Sequence, residues 1–369
     1  MKTTDFLPFA DKFILLSVNS YWKLRIMDVA NEAGVSKSTV SKVLNNWSTI
    51  SPATVARVQE AIKKLNYTPN SRAVIFARQS TRNIIYLTSL APNTAYENPH
   101  MFDIMCGVHH ELSKNGFTLT LVDTSEEKYP GERALSEINR RSADGLIIHG
   151  SAVTEELANV ITREFFPHII IGHPEFNEHL CWIDTSHYLA GEYAATHLLA
   201  CGYTDIVFIT GRKNDTISSQ RMKGFKRKML DCGYHIPNEN LWYTTTTKQN
   251  AYETTYSRLK SCIENPNRTL PQAILCENSS LALGIIRAIR ELSLSIPEDI
   301  AFIGFDKYPY VGIMDPTPTV VYIDVYDLGV QAGHMMVRKL ENPELLIQSY
   351  TTLPRILQGN STIPKSYRI

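Results

Sequence analysis

One short polar segment of this chain combines hydroxyl groups and lysines in a pattern that suits contact with nucleic acid. Ser36, Ser38 and Thr39 carry short hydroxyl side chains, Lys37 and Lys42 are cationic, and no acidic residue interrupts them. Lysine and hydroxyl side chains are common donors to DNA phosphates and base edges. The segment therefore indicates DNA binding. The alternative that the residues leave open is a helical hairpin with a solvated basic face.

Two short helices joined by a tight turn are predicted to hold this segment. Gly34 stands where the turn needs a residue that tolerates positive φ, and Ser36 is a natural N-cap for the second helix. The apolar residues that recur at helical spacing are Ile26, Val29, Ala30 and Ala33, then Val40, Val43 and Leu44. This spacing favours a helix-turn-helix. The residues expected to face outward from its second helix are Lys37, Ser38, Thr39, Ser41 and Lys42.

A third amphipathic helix is predicted to begin at Ser51-Pro52, an N-cap followed by a proline at the first helical position. The charge of the region supports DNA binding. Between Arg25 and Arg82, nine cations accompany three acids, a net charge of +6. Because the whole chain is neutral, the rest of it carries −6. A neutral protein with one basic end is suited to docking that end on a phosphate backbone.

The N-terminal region resembles the DNA-binding headpiece of the lactose-repressor (LacI/GalR) family of transcriptional regulators. The residues that carry the resemblance are Asp28-Val29-Ala30, Ala33-Gly34-Val35-Ser36, Thr39-Val40-Ser41, Val43-Leu44-Asn45 and, after the third helix, Leu65-Asn66-Tyr67-Thr68-Pro69-Asn70. The likeness continues to Ser361-Thr362, over nearly the whole chain. It implies a homodimer whose two headpieces read the half-sites of a pseudo-palindromic operator in double-stranded DNA.

The resemblance divides the expected DNA contacts into two groups. Lys37, Ser38 and Lys42 match base-reading positions. Lys42 stands where the family often has arginine, so a donor is kept while the bidentate contact with guanine is lost. The second group suits phosphate oxygens, which position the protein without specifying sequence. Its members are Ser36, Thr39, Ser41 and Asn45.

After Asn70, members of the family have a short hinge helix whose leucine inserts into the minor groove. The resemblance puts Phe76 at that position and Val74 where an arginine is usual. Aromatic side chains act as wedges in other minor-groove proteins, so we expect Phe76 to do the same. The alternative is that Phe76 packs in the dimer interface. A Phe76→Ala variant that binds and bends its operator like the wild type would exclude the wedge.

The remainder of the chain alternates short apolar runs with amphipathic helical stretches. Three of the predicted helices end in the Schellman pattern, a glycine followed by an apolar residue: Asn115-Gly116-Phe117, Cys201-Gly202-Tyr203 and Cys232-Gly233-Tyr234. Strands that alternate with helices predict parallel sheets with right-handed crossovers. The fold class is therefore α/β, a three-helix headpiece followed by two Rossmann-like lobes. The two lobes resemble the periplasmic binding proteins, and such sheets bind ligands at the carboxyl ends of their strands.

The domain boundaries are predicted from these elements. Residues 25–70 form the helix-turn-helix domain, and residues 71–81 form the hinge helix and linker. The N-terminal effector-binding lobe comprises residues 82–183 and 319–345, and the C-terminal lobe comprises residues 184–318 and 346–369.

Residues 1–24 form an N-terminal extension that the other motifs do not explain. One hypothesis is that translation begins at Leu24, which a non-AUG leucine codon would encode. The other is that the extension is a genuine arm of the protein. Mass spectrometry of the native N-terminus distinguishes them, because a peptide covering Asp11–Lys23 would exclude the first.

The resemblance also implies three effector contacts in the second lobe. Arg221 lies in Ser-x-x-Arg-x-x-Gly-Phe, whose arginine reaches into the cleft of the family and suits vicinal hydroxyls or a carboxylate. Asp306 follows the predicted strand Ile303-Gly304-Phe305, where the family has a ligand-binding aspartate. Asn278 matches the first member of an Asn-Asp pair whose second member here is Ser279. From the residues alone, a solvent-facing helix position is the favoured reading of Arg221, and a capping carboxylate is the alternative for Asp306.

Four further effector contacts are predicted in the first lobe. His100 and Met101 occupy positions where the family commonly has aromatic residues that pack on a sugar or base ring. An imidazole there suits a phosphate or carboxylate, and a surface histidine is the alternative. His149 ends a predicted strand. Trp182 precedes Ile183-Asp184, and its alternative is a core position.

The sequence contains no recognisable catalytic constellation. It has no G-x-S-x-G, no Walker lysine motif and no G-x-G-x-x-G after a strand. His109-His110-Glu111 places adjacent residues on different sides of a helix, so no metal site is expected. The six cysteines form no C-x-x-C pair, which favours a reducing cytoplasm, and no apolar run reaches the length of a membrane span. We expect a cytoplasmic protein that is not an enzyme and needs no cofactor or membrane.

These observations predict a sequence-specific DNA-binding regulator, in the form of a repressor of a carbohydrate-utilisation operon. Its operator affinity would be controlled by a small-molecule effector, a sugar or sugar phosphate, bound between the two lobes. Two alternatives stay open: a two-lobed solute-binding protein without a DNA role, and a regulator with a non-sugar corepressor. No apolar heptad that would form a tetramerising coiled coil follows Ser361-Thr362, which favours a homodimer.

Overall fold

The computed structural model describes residues 25–44, 49–67, 80–92, 99–174, 180–211, 215–245, 247–307, 309–345 and 349–367. The chain divides into two compact units, Met1–Thr81 and Arg82–Ile369. Four of the predictions lie wholly or mostly outside the described residues: the extension 1–24, Asn45, the hinge helix and linker 71–81, and Phe76.

The described part of the first unit is a small core of three helices. They are α1 (Ile26–Glu32), α2 (Lys37–Leu44) and α3 (Pro52–Leu65). The buried side chains that they share are Val29, Ala30, Ala33, Val40, Val43, Val58, Ala61 and Tyr67. The apolar spacing in the sequence therefore predicted the correct faces. Helices of this length are marginal in isolation, so the shared core is what stabilises them.

The ends of these helices use the predicted caps. Gly34 has a φ of 61°, and Ser36 Oγ accepts the backbone N–H of Thr39 at 3.1 Å. Ser51 Oγ accepts the N–H of Thr54 at 3.4 Å. An N-cap of this kind stabilises a helix by about 1 kcal/mol. The start of α2 is therefore defined by its own sequence as well as by packing.

The first sheet of the second unit consists, in the described residues, of six parallel strands. They are β1 (Asn83–Thr88), β2 (Thr118–Asp123), β3 (Gly145–His149), β4 (His168–Ile171), β5 (Trp182–Thr185) and β11 (Ser349–Thr352). Their order is β2-β1-β3-β4-β5-β11. The helices that cover its two faces are α4 (Pro99–Lys114) with α11 (Val325–Glu341), and α5 (Pro130–Asn139) with α6 (Glu155–Arg163). This sheet with its helices is the first lobe.

The second sheet repeats this arrangement in the second lobe. Its strands are β6 (Ile206–Thr210), β7 (Leu241–Tyr243), β8 (Ala273–Cys276), β9 (Ala301–Phe305), β10 (Thr319–Tyr322) and β12 (Arg355–Leu357). Their order is β7-β6-β8-β9-β10-β12, and β12 alone of the described strands runs antiparallel. The covering helices are α7 (His187–Ala200) with α8 (Thr216–Asp231), and α9 (Lys248–Glu264) with α10 (Ser279–Glu291). Cores on both faces are typical of parallel sheets.

The strand pairing corrects the predicted lobe boundaries. Residues 319–322, assigned to the first lobe, pair with β9 in the second sheet, and residues 349–352, assigned to the second lobe, pair with β5 in the first. Asp184 and Thr185 likewise belong to the first sheet. The errors share one cause. The chain passes between the lobes in links of one or two residues, and the short apolar strands on either side of a link do not indicate which sheet they join.

Within the described residues, no helix is both long enough and apolar enough to cross a membrane.

Candidate functional site

The outer face of α2 gathers the side chains that the sequence assigned to DNA. Lys37, Ser38 and Lys42 are exposed, and Thr39 and Ser41 lie half-buried beside them. The side chains of Val40 and Val43 point the other way, into the headpiece core. A helix with a polar outer face on a compact core can enter a major groove.

Ser36 is one of three residues whose hydroxyl groups meet at the start of this helix. Its Oγ lies 2.8 Å from Ser38 Oγ and 2.8 Å from Thr39 Oγ1, in addition to capping the helix. The N-terminus of a helix favours negative charge, because its first N–H groups point outward. These hydroxyl groups therefore suit a phosphate oxygen.

The acids of α1 are engaged with partners of their own. Asp28 Oδ2 accepts the backbone N–H of Arg25 at 2.6 Å, and Glu32 Oε1 lies 2.6 Å from Lys64 Nζ. The second contact ties α1 to the end of α3. Both are exposed, so they organise the surface of the headpiece more than they stabilise it.

A second group of polar residues lies in the second lobe, where α7 and α8 cross closely. A Cβ on Gly191 would lie 1.9 Å from the carbonyl oxygen of Arg221, and one on Gly224 would lie 1.9 Å from that of Tyr188. Only glycine permits this approach. The crossing holds the segment of α8 that contains Arg221 against the sheet.

Three strands bring polar residues to one edge of this sheet. Thr210 ends β6, Glu277 follows β8, and Asp306 follows β9. The register joins Ile209 to Cys276 and Cys276 to Gly304, so these strands end at the same level. Side chains alternate along a strand, which puts Thr210 and Glu277 on the face covered by α8.

The guanidinium of Arg221 is the centre of this group. Arg221 is 4% exposed; its Nη1 donates to the carbonyl oxygen of Glu277 at 2.6 Å and lies 3.9 Å from Glu277 Oε1. Its Nη2 lies 3.9 Å from Asp306 Oδ2. The Phe305 ring covers the guanidinium plane at 4.2 Å. Thr210, Arg221, Glu277 and Asp306 are called the second-lobe cluster below.

Several polar atoms of the second-lobe cluster are buried without a hydrogen-bond partner in the described structure. They are Thr210 Oγ1, Arg221 Nε and Asp306 Oδ1. Asp306 also has a φ of 74°, a strained value for a residue with a side chain. Each such atom costs about 1–3 kcal/mol relative to a satisfied one. Native proteins keep few of them, and a bound ligand is one established reason.

Glu277 was missed by the sequence analysis. Its carboxyl group is buried, and burial raises its pKa, while the charge of Arg221 opposes that rise. The signal in the sequence is its position directly after the apolar run of β8. The effector contact after β8 was predicted for Asn278 instead, because Asn278 matches the motif of the family.

The structure gives Asn278 a different role from the predicted effector contact. Its Oδ1 accepts the N–H of Leu281 at 3.2 Å, which caps α10, and its Nδ2 donates to Glu277 Oε2 at 2.7 Å. Asn278 therefore caps α10 and positions Glu277. Each of these bonds uses one of the two hydrogen-bonding positions of its atom, so the predicted effector contact of Asn278 stays a prediction.

The two predicted residues at the start of α4 lie in different environments. His100 Nε2 lies 3.4 Å from Asp306 Oδ2, so it joins the first lobe to the second-lobe cluster. Met101 is half-buried and packs against the apolar core of the first lobe, and its predicted contact with the effector stays a prediction. Adjacent helical positions point about 100° apart, so one of the two faces the core.

His149 and Trp182 sit at the carboxyl edge of the first sheet. His149 Nδ1 lies 2.7 Å from Ser151 Oγ and accepts the N–H of Ser151 at 3.2 Å; burial lowers the pKa of His149. Trp182 packs on the core of this lobe and meets the ring of His173 edge-on at 4.6 Å. Trp182 is therefore half-buried against the core, and its predicted contact with the effector stays a prediction.

Sequence reasoning also missed the residues beside His149. Asp184 Oδ1 lies 3.4 Å from His187 Nε2, and Asp184 Oδ2 accepts the backbone N–H of His173 at 3.1 Å. His187 Nδ1 is buried without a partner in the described structure. His149, His173, Asp184 and His187 are called the first-lobe cluster below. In the described part of the chain, no three His, Cys, Asp or Glu side chains are placed to hold a metal ion.

Comparison with protein-family models gives two matches. Residues 25–70 match the bacterial regulatory proteins of the lacI family, and residues 195–362 match the periplasmic binding protein-like domain. The first covers the headpiece with α2, and the second covers the second-lobe cluster.

Comparison with known proteins extends the similarity over most of the chain. The ribose operon repressor of Escherichia coli (strain K12) is 28% identical over 335 residues, which are 90% of this chain and 98% of that protein. The HTH-type transcriptional repressor PurR of Histophilus somni (strain 2336) is 28% identical over 316 residues, 85% of this chain and 92% of that protein. A structure of the lac repressor dimer bound to operator and the anti-inducer ONPF has a TM-score of 0.75 at 21% identity. The match covers 92% of this chain and 99% of that chain.

Proposed function

Because this chain belongs to the lacI family of bacterial regulatory proteins, we propose that it is a transcriptional repressor of a carbohydrate operon. Its headpiece binds operator DNA, and a small sugar-like effector bound at the second-lobe cluster controls that binding. The name of its relative, the ribose operon repressor, supports the sugar class. We propose no catalytic role for it. We propose that it is located in the cytoplasm, where it reaches operator DNA.

One observation carries the effector half of the proposal. Within the part of the chain that the structure describes, Thr210, Arg221 and Asp306 leave buried polar atoms without partners at the carboxyl edge of a parallel sheet, where this class of fold binds ligands. Hydroxyl groups of a sugar provide both donors and acceptors, and so satisfy a carboxylate oxygen and a guanidinium N–H together. His100, which contacts Asp306 from the other lobe, completes the site.

We assign the DNA contacts in the headpiece as follows. Lys37, Ser38 and Lys42 on the exposed face of α2 read base edges. The contacts with phosphate oxygens are assigned to Ser36, Thr39, Ser41 and Asn45, and the minor-groove wedge to Phe76.

A homodimer is part of the proposal. A groove of about 500 Å³ lies in the second lobe between α10 and the 3-10 turn Pro309–Ile313, away from the second-lobe cluster. Leu283 and Ile313 line it and are 38% and 86% exposed. Apolar side chains this exposed are typical of protein interfaces. A second copy on this face would pair two headpieces with a pseudo-palindromic operator.

Coupling between effector and operator follows from the two-lobed design. The lobes are joined by short links and meet at the contact of His100 with Asp306. A ligand that bridges this contact favours one angle between the lobes over another. It shifts operator affinity only by its differential affinity for those two states.

Selection of DNA from a random library by the full chain tests the DNA-binding half of the proposal. We expect enrichment of one pseudo-palindrome, with affinity that falls steeply as salt rises. Lys42→Ala should cost about 1–3 kcal/mol and relax specificity at one position of each half-site. Lys114→Ala, an exposed lysine of the second unit, is the control. Failure to enrich any sequence would overturn the proposal.

A further inference from the structure

The second-lobe cluster holds more acidic than basic groups. Arg221 supplies one guanidinium, whereas Glu277 and Asp306 supply two buried carboxyl groups, each with an oxygen 3.9 Å from it. Asp215, which caps α8 by accepting the N–H of Ser218 at 2.8 Å, adds a third negative charge that acts on Glu277. His100 faces Asp306 from the first lobe.

Glu277 changes what the buried arginine offers to a ligand. An arginine without acidic neighbours is a strong binder of phosphate and carboxylate groups. Here Arg221 Nη1 is occupied by the main chain of Glu277, and its charge is shared by two carboxylates. An anionic group entering this buried site would meet repulsion instead of a free cation.

The open positions of the second-lobe cluster define the complementary group. Asp306 Oδ1 requires a donor, and Arg221 Nε requires an acceptor; both residues are at least 95% buried. A ligand amine can donate to Asp306 while a neighbouring hydroxyl accepts from Arg221. A protonated amine also favours the ionised form of Glu277, whose pKa burial raises, and its charge is balanced by that carboxylate; a neutral hydroxyl does neither.

We infer that Glu277 is a specificity-determining residue of the effector site, which selects an amine beside a hydroxyl group, as in an amino sugar, and excludes phosphorylated and acidic sugars. This inference rests on the proposed function, because it assigns the chemical class of the effector for the same site. The inference narrows the expected effector from a sugar or sugar phosphate to an amino sugar.

Thermal unfolding of the full chain with matched ligands tests the inference. Each set contains a hexose, its 2-amino form, its 6-phosphate and its uronate, in the gluco, galacto and manno configurations. We expect one hexosamine to give the largest rise in Tm, on the order of 5 °C at a hundredfold excess over its Kd. The inference is overturned if a phosphate, a uronate or a neutral hexose gives the largest rise, or if no hexosamine gives one.

The variant Glu277→Gln removes the charge while keeping the size of the side chain. We expect its Kd for the selected hexosamine to rise about tenfold. Inorganic phosphate should raise the Tm of this variant and leave that of the wild type unchanged. Glu137→Gln is the matched control, a buried acid between Arg133 and Arg140 in the first lobe, and should keep the wild-type preference. Equal behaviour of the two variants would refute the role of Glu277.

Two results separate this inference from the proposed function. A chain that selects an operator but is not stabilised by any hexosamine overturns the inference and leaves the repressor standing. A chain that selects no operator overturns the proposed function, whatever the sugars do. If Glu277→Gln does not fold, the wild-type ligand series alone decides the inference.

Discussion

The two lobes share one strand order yet present different chemistry at the carboxyl edges of their sheets. The second-lobe cluster is built from one arginine, two acids and a threonine, and each of them is at least 95% buried. The first-lobe cluster is built from three histidines around Asp184, and it is partly open to solvent. The topology therefore determines where polar residues collect, and the residue types determine which ligand group each edge can hold.

The helix packing shows the same likeness between lobes. In the first lobe, Gly107 and Gly329 allow α4 and α11 to cross closely, since a Cβ on either would lie 2.1 Å from a carbonyl oxygen of the partner helix. In the second lobe, Gly191 and Gly224 do so for α7 and α8. The same glycine device brings a helix onto each sheet. Only in the second lobe does the contacted carbonyl belong to an arginine of the candidate site.

Removing the arginine should have the largest effect. Arg221→Ala leaves Glu277 and Asp306 buried without their cation, which we expect to lower the free energy of unfolding by about 3–5 kcal/mol. Stabilisation by every sugar should also disappear. Urea unfolding and thermal shift measure the two effects. Arg227→Ala on the same helix breaks an exposed contact with Asp231 and should cost under about 1 kcal/mol. Equal losses in both variants would contradict a special role for Arg221.

The lobes should also differ in how stability depends on pH. In the first lobe, burial lowers the pKa of His168 to about 4. Its Nε2 accepts the N–H of Cys181 at 3.0 Å and Nδ1 lies 2.7 Å from the carbonyl oxygen of Phe166, so protonation of Nε2 breaks a buried bond. The unfolded chain binds this proton more readily than the native one. This contribution to stability is therefore fully present above pH 6.5. As pH falls from 6.5 towards about 4, the free energy of unfolding decreases by about 3 kcal/mol.

Glu277 acts in the opposite direction in the second lobe. Burial raises its pKa, so the native state holds its proton more tightly than the unfolded state, and stability falls as pH rises from 4.5 to the raised native value. Unfolding measured from pH 4 to 8 resolves the two contributions through variants. His168→Gln should remove the rise in stability between about pH 4 and 6.5, and Glu277→Gln should remove the fall that begins above pH 4.5. His110→Gln, exposed on α4, should change neither. An unchanged profile in His168→Gln would contradict this assignment.

Local signals in the sequence predicted much of this design. Gly34 and Ser36 mark the turn and cap of the headpiece because caps depend on a few adjacent residues. Arg221 and Asp306 were each predicted from a motif, and the structure brings them together. Glu277 was not predicted, because its burial depends on the register of three strands that lie far apart in the chain. The assignment of β10 and β11 to lobes failed for the same reason: pairing is a long-range property.

Asn278 shows a limit of another kind. An asparagine that follows a strand and precedes a helix suits both a ligand contact and an N-cap. The sequence contains nothing that separates these roles, because both need the same side chain at the same place. The hydrogen bonds to Leu281 and Glu277 show the N-cap, and the ligand contact stays a prediction.

The glycine crossings provide a steric comparison between the lobes. Gly191→Ala and Gly329→Ala each introduce a methyl group against a backbone carbonyl, and each should cost at least about 1–3 kcal/mol. Only Gly191→Ala displaces the segment that holds Arg221. We therefore expect both variants to lose stability in thermal unfolding, and Gly191→Ala alone to lose stabilisation by sugars. Loss of sugar binding in both would mean that the site responds to any disturbance of the fold.

The smallest effect is expected where the lobes meet. His100→Ala removes a contact between His100 Nε2 and Asp306 Oδ2 that is partly exposed, so stability should change by about 1 kcal/mol or less. The contact nevertheless spans the two lobes, and its loss should weaken the coupling of sugar binding to operator release. Operator affinity measured with and without the stabilising sugar gives this coupling directly. His109→Ala, exposed on the same helix and in contact with Ser113, should leave the coupling at its wild-type value. If the two variants couple equally, the contact with Asp306 has no part in transmission, and the links between the lobes carry the signal alone.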